Sequence, residues 1–235
     1  MPTIETLDVT KIESTPTVGE IAASDIRKAE VFRKMGVDFC CGGKKTLKEA
    51  CVEAGVSEDQ LNAALEAVSG KDSSQPQHDF NKWDPAFLAD YIINIHHRYV
   101  RESAPIIEQL AVKVANHHGA NHPELIPLAN GLNRFLADLL LHMKKEEQFL
   151  FPAIRHKAAS SDFPIIDAIG LMEMEHAASG EDVRQFRQLT RDYTLPADAC
   201  NSYTYLFHKL QEFEADLFQH IHLENNILFP KALYS

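Results

Sequence analysis

His142-Met143-Lys144-Lys145-Glu146, trailed by Phe149-Leu150-Phe151-Pro152, recurs as His220-Ile221-His222-Leu223-Glu224, trailed by Ile227-Leu228-Phe229-Pro230. In each copy the His and Glu are four residues apart, about one helical turn, so both side chains leave the same face. The copies are 78 residues apart. Upstream of each lies another histidine, His176 for the second and either His96 or His97 for the first. The pair His97/His176 is 79 apart, close to the period of the repeat. A two-helix unit has been duplicated, and each copy supplies two imidazoles and one carboxylate. Four imidazoles and two carboxylates are a set suited to a dinuclear iron centre, because mixed N/O donors favour iron, manganese or zinc over thiolate-seeking metals.

Phase supports the same reading. Counted from His142, the residues Phe135, Leu139, Glu146, Phe149 and Leu150 fall on one stripe, and from His220 so do Phe213, Leu217, Glu224, Ile227 and Leu228. A His–Glu pair inside an apolar stripe would be buried at a cost unless it bound something. Shared packing of duplicated helices explains the aromatic and aliphatic residues but not the His and Glu. His222, two residues from His220, is expected to point off the ligand face. His117, His118, His122, His156 and His208 are surplus to the pattern.

Around this core the sequence predicts an all-α chain. Asp84-Pro85 opens a helix to about Asn116; others span about Asn130 to His156, from after Asp162 and Pro164 to about Tyr193, and about Asp198 to Leu228. Strand signals are absent, and such lengths suit an antiparallel four-helix bundle over residues 84–235. Residues 1–70 read as a small helical module, with helices beginning at Ser24, Thr46 and Ser57 and stops at Gly36 and Gly55. Residues 71–83 read as a linker.

The 235 residues carry a formal charge of −11, which argues against a nucleic-acid or anionic-membrane surface. No apolar run is long enough to span a membrane and no export signal is read at the start, so the expected location is cytoplasmic. Four cysteines at 40, 41, 51 and 200 do not form a secreted disulfide framework. Cys40 and Cys41 lie in Asp38-Phe39-Cys40-Cys41-Gly42-Gly43-Lys44-Lys45. Here two lysines and the following helix N-terminus are expected to lower a thiol pKa, giving a redox or ligand-exchange site, against the plainer reading that the cysteines pack in a small domain.

These residues resemble the iron-sulfur cluster repair di-iron proteins, which join an N-terminal Cys-Cys module to a hemerythrin-like domain. The resemblance spans residues 18–234. It rests on Asp38 to Lys44 with Thr46-Leu47, on His142-Met143 with Lys145-Glu146-Glu147, and on His220 with Leu223-Glu224-Asn225-Asn226. In that family the first ligand is followed four and five residues later by Arg-Glu, as His97 is by Arg101-Glu102, which selects His97 over His96. The resemblance implies His97, His142, His176 and His220 as terminal ligands and Glu146 and Glu224 as bridges between two irons. It further implies repair of clusters damaged by nitric oxide or oxidants, by iron donation rather than multiple-turnover enzymology. With that role come Cys40 and Cys41 as acceptors of iron or nitrosyl groups. Damaged iron-sulfur proteins are the expected clients, nitric oxide or dioxygen the candidate ligands, and a homodimer the candidate assembly. Competing readings are a gas-binding or sensing hemerythrin and a di-iron nitric oxide or peroxide reductase.

Overall fold

One break, at Asp25, separates the N-terminal helical run that the sequence begins at Ser24 from a further short helix before it. In the computed structural model, which describes residues 15–69, 78–156 and 165–234, α1 is Val18–Ser24 and α2 is Ile26–Lys34. Thr17 caps α1 in a reciprocal capping box with Glu20, and the extended Asp25 ends α1 and caps α2 through its side chain. Ser24 is therefore the last residue of one helix rather than the start of the next. α3 (Leu47–Ala54) has its own box, Thr46 with Glu49, and ends on Gly55 at φ 67°, a left-handed turn that glycine adopts without strain. α4 is Glu58–Ser69. Residues 1–14, 70–77, 157–164 and 235 lie outside the described residues. They include most of the predicted linker and the Asp162 and Pro164 start signals.

Four rods follow, and they form a helical bundle. The first comprises α5 (Pro85–Ile92), a π turn (Ile93–His97) and α6 (Arg98–His118). The second comprises α7 (Leu125–Lys145), a π turn (Glu146–Leu150) and α8 (Phe151–Arg155). The third is α9 (Ile165–Thr190). The fourth comprises α10 (Asn201–Leu223), a π turn (Glu224–Leu228) and α11 (Phe229–Tyr234). Among the described residues no strand occurs, and no helix is long and apolar enough to cross a membrane.

The π turns change the phase of the first, second and fourth rods. Pro152 and Pro230 have no N–H to bond the carbonyls of residues 148 and 226, which frees the backbone to widen there. The inserted residue moves Phe149, expected on the buried stripe, out to 58% exposure and brings Phe151 in to 0%.

Two apolar clusters fill the interior. One runs from Val18, Phe32 and Phe39 of the N-terminal helices into Leu139, Met143, Leu217 and Ile221 of the bundle. The other gathers Phe80, Ile92, Leu150, Phe151, Leu223, Leu228 and Phe229 at the opposite end of the rods. Residues 78–83, predicted as linker, belong to the packed structure: Phe80 is buried, its ring lies 4.7 Å from that of Trp83, and Lys231 donates to the Phe80 carbonyl. Between the two clusters, along each rod, lies a layer of histidine and glutamate.

Candidate metal centre

Each rod contributes to that layer at the point where its helix is altered or crossed. His97 closes the first π turn, Glu146 opens the second and Glu224 opens the third, while His142, His176 and His220 lie on regular helix. All six are buried, with His97, Glu146 and Glu224 at 0% exposure. The structure brings together every residue proposed as a ligand from sequence.

The six sort into two groups of four. His97, His220, Glu146 and Glu224 offer donor atoms within 4.8 Å of one another, and so do His142, His176, Glu146 and Glu224. Glu146 presents Oε1 to His142 Nε2 at 3.3 Å and Oε2 to His97 Nε2 at 3.4 Å. Glu224 presents Oε1 to His220 Nε2 at 3.1 Å and Oε2 to His176 Nε2 at 3.2 Å. Both carboxylates thus face both halves, which is the disposition of a bridge.

Behind the rings a further set of groups fixes their tautomers. His97 Nδ1 donates to Glu147 (2.6 Å), His142 Nδ1 to Glu175 (2.7 Å) and His176 Nδ1 to Asn225 Oδ1 (2.8 Å). Arg101 holds Glu147 and Lys145 holds Glu175. An ionised carboxylate or an amide oxygen only accepts, so Nδ1 carries a proton in all three rings and Nε2 is the nitrogen left to face a cation. Each of these three groups is adjacent in the chain to a candidate ligand: Glu147 to Glu146, Glu175 to His176 and Asn225 to Glu224. The Arg101 that follows His97 also acquires a physical meaning, through Glu147.

The residues fit a cation. His97 Nε2 lies 3.1 Å from His220 Nε2, and His142 Nε2 lies 2.9 Å from His176 Nε2, so pairs of imidazole nitrogens converge beside the two carboxylates. Both oxygens of Glu146 and Oε2 of Glu224 are buried without a hydrogen-bond partner. The electrostatics ask for positive charge. Burial opposes protonation of His97 and His142, yet the surrounding carboxylates raise them to about 11 and about 9. Burial and mutual repulsion push Glu146 and Glu224 up, but the histidines outweigh this and hold Glu146 at about 2 and Glu224 well below the usual range. Neutral imidazoles and carboxylates are the donors that suit iron.

His222 is off the ligand face, as expected, and it is fully buried, with its ring 5.5 Å from Phe39 and burial lowering its pKa to about 4. His96 is buried too, bonded to Asp216 at 2.9 Å and stacked on His220.

The two cysteines lie against the bundle beside α9. Cys41 Sγ donates to the His176 carbonyl at 3.4 Å, and Asn226 Nδ2 reaches the carbonyls of Phe39 (3.2 Å) and Cys40 (3.1 Å). A Cβ on Gly43 would fall 2.0 Å from Asn226 Oδ1, so only glycine admits this clamp. The expected lowering of a thiol pKa by the lysines is not found at Cys40. Lys44 pairs with Glu173 and Lys45 with Glu53, while the Cys41 contact and burial push the Cys40 thiol well up.

Comparison with known proteins agrees in both parts of the chain. Residues 14–69 match a family model described as a domain of unknown function (DUF542), and residues 88–232 match the hemerythrin HHE cation binding domain. A relative named iron-sulfur cluster repair protein YtfE from Pectobacterium carotovorum subsp. carotovorum (strain PC1) is 40% identical over 223 residues, covering 92% of this chain and 96% of its own length. One of the same name from Yersinia pestis (strain Pestoides F) is 38% identical over 218 residues, with the same coverage.

Proposed function

The chain belongs to the family of hemerythrin-domain iron-sulfur cluster repair proteins, and from that membership we propose that it restores damaged iron-sulfur clusters by supplying iron held as a pair of ions in its bundle. The observation that carries this reading is the pair of fully buried carboxylates, each facing histidines of both halves. His97, His220, Glu146 and Glu224 would hold one ion, and His142, His176 and the same two carboxylates the other. When bound, the ions supply the exchangeable iron that a damaged cluster lacks.

The residues are suited to lending rather than keeping. Ferrous iron stands near the bottom of the affinity order for N/O sites, and an acceptor rich in thiolate competes well against imidazole and carboxylate. Glu147, Glu175 and Asn225 keep three imidazoles oriented with Nε2 free, so the site need not reorganise to reload. The apolar clusters on both sides confine exchange to the ends of the layer. Clients would be iron-sulfur proteins that have lost iron under nitrosative or oxidative stress.

The test is anaerobic incubation of the iron-loaded chain with an iron-sulfur enzyme damaged by nitric oxide, following recovered activity and iron content together. Recovery matched by loss of iron from this chain is the expected outcome. Recovery with its iron fully retained, or repeated consumption of nitric oxide with no recovery, would overturn it.

A further inference from the structure

The His/Glu layer leaves the Cys-Cys loop without an assigned chemistry, and its geometry is specific. Asp38 Oδ1 accepts the backbone N–H of Cys40 (3.2 Å) and Cys41 (2.9 Å), closing the loop on itself. Phe39 packs on Phe32, and Asn225 and Asn226 hold the Cys40 carbonyl from the bundle. Within this frame the two sulfurs are 3.9 Å apart, and Cys40 Sγ is 3.4 Å from Asp38 Oδ1.

A tetrahedral ion with bonds of about 2.3 Å to sulfur and about 2.1 Å to oxygen sets S···S at about 3.8 Å and S···O at about 3.6 Å. The loop, with both thiols reduced, holds its donors near those values. Asp38, Cys40 and Cys41 also have all three donor atoms within 4.8 Å of one another.

We propose that Asp38, Cys40 and Cys41 form a second metal site, distinct from the His/Glu layer, for one thiophilic divalent cation. Binding displaces both thiol protons to solvent, the Cys41 proton leaving the His176 carbonyl, and no oxidant or reductant takes part. Three protein donors leave a fourth position open, the mark of a site that exchanges rather than one that only braces a fold. That position faces a cavity of about 170 Å³ lined by Arg33, Arg184 and Arg187 together with the loop. A dication with two thiolates and one carboxylate carries a net charge of −1; each of these guanidiniums already pairs with a carboxylate, Glu30, Glu181 or Glu214, and Arg184 is the one that also interacts with Asp38 and Cys41. Asn225 links the two sites, since its Oδ1 accepts from His176 while its Nδ2 reaches the Cys40 carbonyl. The proposal concerns this site's own occupancy and stands whether or not the iron of the bundle is donated.

The full chain, with its bundle saturated by iron under anaerobic conditions, should be titrated with Co²⁺ while near-ultraviolet thiolate-to-cobalt absorption and proton release are recorded. One equivalent of thiolate-bound cobalt and two protons are expected. Both signals should vanish in Cys40→Ser/Cys41→Ser, whose unchanged helicity and iron content report an intact fold, and persist in Cys51→Ser/Cys200→Ser. Asp38→Asn keeps the acceptor for the loop amides but removes the anionic donor, so affinity should fall at least tenfold. Absence of the band in the unaltered chain, its survival without Cys40 and Cys41, or its loss with Cys51 and Cys200 would each overturn the site. Unchanged affinity in Asp38→Asn would overturn the three-donor set.

Discussion

Replacing Asn226 by alanine tests whether the Cys-Cys loop is held by the bundle or merely lies on it. The amide nitrogen faces three acceptors: the carbonyls of Phe39 and Cys40 and Nδ1 of His222, at 3.2, 3.1 and 3.0 Å. An NH₂ group has two hydrogens, so two bonds form at any moment. At about 1 kcal/mol each, they contribute about 2 kcal/mol, and acceptors left dry by the truncation raise the cost towards about 4 kcal/mol. His222 is the acceptor most exposed to that penalty, because its ring is fully buried and its other nitrogen is already without a partner. The same truncation removes the oxygen against which Gly43 is packed, so no steric strain replaces the lost bonds.

The effect should be local, and Cys40 reports it, being buried where Cys41 is only half-buried. In a Cys41→Ser background, labelling of Cys40 by an aromatic disulfide reagent proceeds from the opened loop. A loss of about 2 kcal/mol raises the opened population, and hence the labelling rate, about 30-fold; about 4 kcal/mol raises it about 1,000-fold. Global denaturation of the bundle should move much less. Labelling within twofold of the parent, with Asn226 gone and the fold intact, would show that other contacts hold the loop and that the clamp argued from Asn226 and Gly43 is not energetically real.

Two further outcomes follow from the geometry. Glu146→Ala and Glu224→Ala should each bind less than half the iron of the parent chain, whereas His96→Ala and His222→Ala should keep it, because only the two glutamates face both halves of the layer; equal iron content across all four would contradict the placement of the bridges. Phe149→Asp should alter the stability of the metal-free chain by no more than about 0.5 kcal/mol, against about 3–5 kcal/mol for Phe151→Ala, as urea unfolding would measure; the reverse order would refute the phase shift assigned to the second π turn.

The bundle and the ligand set were legible because they are written in period and repetition. Two His–Glu phrases in matched apolar phase can be read without coordinates, and His176 follows from the repeat. Selecting His97 over His96 required family resemblance, since the repeat period of 78 separates spacings of 79 and 80 only slightly. The π turns were not read. Pro152 and Pro230 are signals for two of them, but the first, at Ile93–His97, has no proline behind it. Nor could sequence place Lys44 and Lys45, which pair with Glu173 on the distant α9 and with Glu53 on the adjacent α3. The short α1 was missed because its capping box, Thr17 with Glu20, precedes a run with too few apolar positions to show a period.

The duplicated halves share their ligands and differ at the next residue, and burial accounts for the difference. After Glu146 comes Glu147, which bonds His97 and is held by Arg101 near solvent, so a carboxylate can serve there. After Glu224 comes Asn225, which bonds His176 from beneath the Cys-Cys loop at 6% exposure, with the Cys40 carbonyl rather than a cation beside it. A carboxylate in that place would be a buried, uncompensated charge facing a carbonyl oxygen, costing several kcal/mol. An amide keeps the acceptor that His176 needs and adds the donor that the loop needs. The N-terminal module has thus left its mark on the bundle in one residue, where the second copy of the repeat must support a ligand and hold a neighbour at once.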